Sequence, residues 1–129
     1  MSDARPTRFH ALGGEPAVRK IVDAFVDRVF DDMMIGFFFR NASRERVKEF
    51  EYQHAAEFLG ADVVYEGKPL GAAHAAHPIR GGHFERRKEI LRQTLVAHAV
   101  PDDIVNAWLA HTESLRAEIT GDPGSECRH

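Results

Sequence analysis

The chain has 129 residues, 43% of them hydrophobic and 29% charged, which is the composition of a globular domain with one core. Its formal net charge is −3 with both signs interspersed, so the composition favours neither a nucleic acid nor an anionic membrane as a partner. No apolar run approaches the roughly 20 residues that a membrane-spanning helix needs.

The first predicted helix begins after two glycines, at Glu15 and Pro16. Glu15 suits the positive end of a helix, and Pro16 suits a first-turn position where its missing N–H costs nothing. Apolar residues then recur at helical spacing, at Val18, Ile21, Val22, Phe25 and Val29. We expect this helix to end near Asp31 and Asp32. The apolar stretch 33–39 follows, and its three consecutive phenylalanines predict a tight corner against a large flat group, or a well-filled core turn.

The second predicted helix runs from Ser43, a typical N-cap residue, to Leu59, with Gly60 as its stop. The residues expected to face inward on this helix are Val47, Phe50, His54, Ala55 and Phe58. Glycines and prolines recur between 61 and 78, so little regular structure is expected there.

The third predicted helix opens at Gly81 and Gly82, and the fourth opens at Pro101. The expected inner face of the third helix consists of Phe84, Leu91, Thr94, Leu95 and His98. That of the fourth consists of Ile104, Val105, Trp108, Leu109, Thr112, Leu115 and Ile119. Residues 121–129 are expected to be disordered. Strand patterns are nearly absent, so the sequence predicts an all-α fold.

The chain is expected to form one domain over 1–129, with a core over about 12–119. Its first residues are not followed by an apolar stretch, so a secretory signal is not expected. Its one cysteine, Cys127, lies in a polar tail and has no internal partner for a disulfide. These features predict a cytoplasmic protein that binds neither nucleic acid nor membrane.

Histidine is the most informative residue type, with eight copies. His10, His83 and His129 fall near segment ends, where solvated side chains are expected. His98 and His111 lie on apolar helical faces, where a core histidine satisfied by a backbone carbonyl is the favoured interpretation. The same interpretation is favoured for His54, taken alone.

His74 lies among small residues that leave room for a bulky planar partner, and its neutral imidazole can bind iron. A closed zinc site from His74 and His77 is disfavoured, because Pro78 follows and acidic partners are missing nearby. Glu51 and His54 match the Glu-x-x-His pattern of di-iron bundles once, whereas such a site needs two copies.

The order of these features resembles the truncated haemoglobins, specifically the first group of that family. The similarity spans about Leu12 to Ile119. The landmarks that carry it are Leu12-Gly13-Gly14, Phe25, Phe38-Phe39, Leu59-Gly60, Tyr65-x-Gly67-Lys68, His74, Ile79, His83-Phe84 and Val100-Pro101. Each landmark is common alone, and together in one register they are specific.

The resemblance implies a two-over-two helical sandwich around haem b, with His74 as the proximal iron ligand and Phe39 against the haem face. A porphyrin would also explain the run of phenylalanines, which otherwise simply fill a core. The residues expected to contact the cofactor are Phe38, Phe39, Val47, Phe50, Lys68, Leu70, His74, Ile79 and Phe84.

The distal side of this sequence departs from the family pattern. Val26 stands where the family usually has a tyrosine, and Val47 and Glu51 stand where it often has glutamine. Arg87 occupies a position that is usually apolar. We hypothesise that Glu51 and Arg87 pair in the distal pocket, since a buried charge persists only when it is paired. In the alternative, a one-residue register shift places both on the surface.

The expected distal pocket comprises Phe25, Val26, Glu51, His54 and Arg87. His54 has a second interpretation here, as a residue that reaches the sixth iron position when no ligand is bound. Its aligned position usually lies beyond ligating distance. Phe50 aligns where some relatives carry an internal ligand, and phenylalanine cannot ligate.

The resemblance implies a haem protein that binds a small diatomic ligand, O2, NO or CO. Oxygen binding or transport, NO detoxification and other redox chemistry with an electron-donating reductase all stay open, so the sequence does not decide whether the protein is an enzyme. A missing distal tyrosine argues against tight oxygen storage. The alternatives are a non-catalytic haem-based gas or redox sensor, a partner-binding globin, and a globin-shaped protein without haem.

Overall fold

The computed structural model describes residues 7–67 and 81–116, and every regular element in these ranges is a helix. The α-helices are α1 (Arg8–Ala11), α2 (Gly14–Phe30), α3 (Arg44–Leu59), α4 (Gly81–Ala97) and α5 (Asp102–Ser114), with a 3₁₀ helix over Gly36–Phe39 between α2 and α3. None of these described helices is both long and apolar enough to cross a bilayer. The prediction of an all-α fold is confirmed.

Local sequence explains where the long helices begin and end. The Ser43 hydroxyl accepts a hydrogen bond from the backbone N–H of Arg46 at 3.2 Å, which caps α3. Gly60 ends α3 with φ of +101°, a left-handed conformation that glycine adopts without steric cost. Acidic residues stand in the first turns of α2 and α5, where they favour the positive helix end. The predicted boundaries at these positions are confirmed.

Two short elements flank α2. Helix α1 was not predicted, because four residues are too few to show a hydrophobic period; Thr7 caps it by accepting from the N–H of His10 at 3.1 Å. The predicted tight corner is the 3₁₀ helix, in which the Phe37 and Phe38 rings stack at 4.2 Å. The corner stretch also leaves Met33 and Phe37 exposed.

Helix α2 is the centre of the packing, since it contacts α3 on one side and α4 on the other, while α4 packs on α5. Its buried residues recur at helical spacing and are Val18, Ile21, Val22, Phe25, Val26 and Val29. Each such side chain contributes about 1.5–3 kcal/mol by leaving water.

The predicted inner face of α3 is wrong in part. The fully buried residues of this helix are Tyr52, Gln53, Ala55, Ala56 and Leu59, whereas Val47, Phe50, His54 and Phe58 are only half-buried. Helix α3 is covered on two sides, by α2 and by the segment after Gly60, where the N–H of Glu66 donates to Gln53 Oε1 at 2.8 Å. The apolar stripe predicted from the sequence therefore lies on a third face of α3.

The other expectations for chain organisation lie outside the described residues. These are the end of the fourth helix, which is predicted at Gly121 and Pro123, the place of Ile119 on its inner face, the tail 121–129, and the irregular stretch from 68 to 78. The rest of that stretch, residues 61–67, has no helix, as predicted.

Candidate functional site

The third face of α3 forms one wall of a cleft enclosed by α2, α3, α4 and α5. The cleft encloses a cavity of about 200 Å³, and the space counted out into the solvent at its mouth is about 1080 Å³. Its described lining residues are Ile21, Val22, Phe25, Phe39, Val47, Phe50, Glu51, His54, Ala55, Tyr65, Arg87, Leu91, Trp108, His111, Thr112 and Leu115. A predominantly apolar cleft with a few polar groups is typical of a small-molecule or cofactor site.

One ion pair crosses this cleft, from α4 to α3. Arg87 Nη2 donates to both carboxylate oxygens of Glu51, at 3.3 Å to Oε1 and 3.2 Å to Oε2. The Arg87 guanidinium also lies over the Phe25 ring, 4.9 Å from its centroid. The predicted contact between Glu51 and Arg87 is therefore present, and the register shift that would put both residues on the surface is wrong.

A second polar group in the cleft consists of two imidazoles. The rings of His54 and His111 are 5.6 Å apart, and Tyr65 packs edge-on against His54 at 5.3 Å. His111 stacks on Phe58 at 4.3 Å, and its Nε2 is buried without a hydrogen-bond partner among the described residues. Burial lowers the pKa of His111, and the charge of His54 lowers it further. Burial raises the pKa of Tyr65, with a smaller contribution from Glu51.

The expectations for the remaining histidines separate clearly. His98 is satisfied as predicted, since its Nδ1 lies 2.9 Å from the carbonyl oxygen of Thr94. His10 is exposed, also as predicted. The expectation of a carbonyl partner for His111 is wrong. That of a solvated His83 is wrong in part, because its ring packs against Phe38 at 5.0 Å and its Nδ1 is buried without a partner in the described ranges.

Comparison with known proteins assigns this architecture. Residues 7–121 match the model of the bacterial-like globin family. The chain is 30% identical over 117 residues to the group 1 truncated hemoglobin of Mycolicibacterium paratuberculosis, covering 90% of this chain and 86% of that protein. The group 1 truncated hemoglobin of Tetrahymena pyriformis is 28% identical over 115 residues, with 89% and 95% covered. The chain belongs to the bacterial-like globins, in truncated haemoglobin group 1.

The fold agrees with this assignment. The Fe(III) crystal structure of the Tetrahymena pyriformis protein superposes with a TM-score of 0.81 at 28% identity, covering 90% of this chain and 99% of the other. Hemoglobin from Chloroflexus aurantiacus superposes with a TM-score of 0.78 at 26% identity, with 90% and 98% covered. The two-over-two globin fold is confirmed.

Haem, with its iron, is the cofactor of this truncated haemoglobin, and the described cleft fits it. Phe39, Phe50 and Trp108 offer flat apolar surfaces in the cleft. The buried, unpartnered Nε2 of His111 is a polar atom on the wall that a bound group with polar substituents can satisfy.

The structure brings together most of the predicted site residues that it describes. Those that line the cleft are Phe25, Phe39, Val47, Phe50, Glu51, His54 and Arg87. Three others do not line its described part. Val26 is 1% exposed inside the α2 packing, Phe84 is fully buried beneath Arg116, and Phe38 packs on Phe37 and His83. Lys68, Leu70, His74 and Ile79 lie outside the described residues.

Sequence reasoning missed the wall contributed by α5. This wall consists of residues at helical spacing, a pattern that in sequence alone indicates core packing: Trp108, His111, Thr112 and Leu115. The sequence does contain one signal for this wall. His111 lies on the apolar stripe of α5 and His54 lies on that of α3, and two such histidines on facing helices indicate a shared polar cavity. Tyr65, one of the family landmarks in the sequence, also lines the cleft.

Proposed function

We propose that this truncated haemoglobin holds haem b in the cleft with His74 as the proximal iron ligand, and that it binds a small diatomic ligand there. The observation that carries the proposal is the apolar cleft between α2, α3, α4 and α5, whose flat aromatic lining suits the family's cofactor. His74 is the histidine that the family landmarks select in the sequence. Haem iron supplies the coordination position for O2, NO or CO and the redox chemistry.

The residues of the chain would set the environment of that ligand. Phe39, Phe50 and Val47 line the cleft with apolar surface that excludes water and packs against a flat macrocycle. Arg87 supplies donor N–H groups in the same cleft, and Glu51 holds its guanidinium in place. Because the tyrosine position of the family carries Val26 here, a buried side chain outside the cleft lining, the polar contact to a ligand would come from Arg87.

The decisive experiment compares ultraviolet–visible spectra of ferric and dithionite-reduced protein for the wild type, His74→Ala and His77→Ala. We expect a Soret band in the wild type that collapses or shifts in His74→Ala. The matched control His77→Ala removes a histidine three positions away and should keep the wild-type spectrum. No Soret band after haem addition would contradict haem binding. A band lost only in His77→Ala would move the proximal ligand to His77.

NO detoxification is the catalytic form of this proposal, and it needs an electron-donating reductase as partner. NO consumption by the oxygenated protein, measured with and without a reductant, tests it. Consumption that persists over many turnovers with the reductant supports an enzyme. Stoichiometric consumption alone would favour the non-catalytic alternative, a gas or redox sensor.

A further inference from the structure

Among the arginines of residues 7–67 and 81–116 that form ion pairs, Arg87 donates hydrogen bonds through the fewest nitrogens. Arg86, its neighbour on α4, donates through Nε and Nη2 to Asp32 at 3.0 and 2.7 Å. Arg87 donates through Nη2 alone, to Glu51, so its Nε and Nη1 have no hydrogen-bond partner among the described residues. Since guanidinium offers five N–H donors in a planar fork, Arg87 retains donors for a second acceptor.

The surroundings of Arg87 increase the effect of that charge. Its side chain is 16% exposed, whereas that of Glu51 is 34% exposed and reaches water more freely. Phe25 covers one face of the guanidinium. Among the described residues that line the cleft, Arg87 is the one arginine or lysine and Glu51 is the one carboxylate. A poorly solvated cation attracts an anion more strongly than an exposed one does.

We propose that the cleft favours small monovalent inorganic anions over neutral ligands, with Arg87 as the group that binds them and Glu51 as the internal competitor. Where the anion also binds the iron, this inference rests on the proposed function, because it then requires bound haem. An incoming anion shares the guanidinium with the Glu51 carboxylate or displaces it toward solvent, and a neutral gas gains no such attraction. Arg87 and Glu51 thereby determine the specificity of the site.

The test uses azide as the anionic probe of the ferric protein and CO as the neutral probe of the ferrous protein. Arg87→Met should lower the azide affinity about tenfold, the size of a partly solvated charge-assisted hydrogen bond. Glu51→Gln should raise it about tenfold, because the competitor loses its charge. CO affinity should change less than twofold in both variants. The matched control Arg92→Met removes an exposed arginine that pairs with Glu89 on the same helix, and it should change neither affinity.

A second readout does not depend on haem. Trp108 is the one tryptophan of the chain and lines the same cleft. In the protein before haem loading, iodide should quench its fluorescence less in Arg87→Met and more in Glu51→Gln, with quenching by neutral acrylamide unchanged. Iodide quenching and azide affinity that stay within twofold of the wild type in both variants would overturn the proposal. A missing Soret band would count against the proposed function only, since the iodide experiment would still decide this one.

Discussion

The corner between α2 and α3 and the cleft beside it satisfy their polar groups in opposite ways. At the corner, the buried Asp32 carboxylate accepts from the N–H groups of Met34 and Ile35 and from Arg86. In the cleft, the Nε2 of His111 and two nitrogens of Arg87 have no partner in the described chain. The Asp32 carboxylate at the corner is therefore satisfied within the fold, whereas the polar groups of the cleft remain available to something that binds there.

The largest effect is expected at Gly36, where the corner has no spare space. A Cβ at this position would lie 2.4 Å from the carbonyl oxygen of Phe30 and 3.2 Å from its carbon. Because these are backbone atoms, Gly36→Ala must shift the corner, and we expect it to lower the free energy of unfolding by about 2–3 kcal/mol. Urea unfolding monitored by circular dichroism measures this change.

The matched control is Gly82→Ala in the first turn of α4. A Cβ at Gly82 meets nothing within 4 Å, so the substitution should leave the free energy of unfolding within about 0.5 kcal/mol of the wild type or raise it slightly. Equal changes in the free energy of unfolding for the two substitutions would show that the backbone at the corner shifts at little energetic cost.

The next effect is expected at Asp32, whose side chain is 7% exposed. Asp32→Asn keeps an acceptor but loses the charge that holds Arg86, which should lower the free energy of unfolding by about 1.5 kcal/mol at pH 7. The neighbouring control Asp31→Asn breaks an exposed pair with Arg44 and should cost no more than about 0.5 kcal/mol.

The hydrogen bonds from Arg86, Met34 and Ile35 hold the pKa of Asp32 below its ordinary value of 3.8. The folded state therefore stabilises the ionised carboxylate of Asp32 more than the unfolded chain does. The contribution of Asp32 is fully present above the ordinary pKa and is lost as the pH falls through the lowered one. The difference in free energy of unfolding between the wild type and Asp32→Asn should therefore decrease as the pH falls. A difference that does not change with pH would contradict the role of the charge.

The smallest effect is expected in the cleft and has the opposite sign. His111→Phe removes the unpartnered Nε2 and keeps the stack on Phe58, so it should raise the free energy of unfolding of the haem-free protein by about 1 kcal/mol. His98→Phe is the control, since it breaks the bond to Thr94 and should lower that free energy by about 1 kcal/mol. Loss of stability in His111→Phe would mean that Nε2 has a partner.

The His111 effect depends on pH in a defined direction. The pKa of His111 is lowered from 6.5, mainly by burial, so the unfolded chain takes up the proton first as the pH falls. Wild-type stability should decline between pH 7 and pH 5, and His111→Phe should flatten that decline. Measuring the unfolding midpoint at both pH values distinguishes this contribution from that of Asp32, which acts at lower pH.

The features that sequence predicted well are those with local causes. Ser43 and Gly60 bound α3 through hydrogen bonds and a backbone conformation that involve only their near neighbours. The pair of Glu51 and Arg87 is predicted from the family resemblance, since both positions depart from the usual residue type, and their contact is present.

The features that sequence missed depend on tertiary neighbours. Tyr52 and Gln53 are buried because α2 and the segment after Gly60 cover that side of α3, which no pattern within the helix reveals. Whether His98 or His111 finds a carbonyl depends on the position along each helix and on what lies opposite. The two histidines lie on similar apolar faces, yet in the described chain His98 has a carbonyl partner and the Nε2 of His111 has none.

The groups in the cleft without a partner in the described chain gain one when something binds there, and this links the stability of the protein to its abundance in the cell. A ligand that binds only the folded chain stabilises it by mass action, by about 2.7 kcal/mol at a hundred times its dissociation constant. A domain whose net stability is about 5–15 kcal/mol gains a substantial fraction of its margin in this way. Proteases degrade the unfolded fraction of a protein, and a bound cofactor makes that fraction smaller. The supply of cofactor thereby controls the steady-state abundance of the chain.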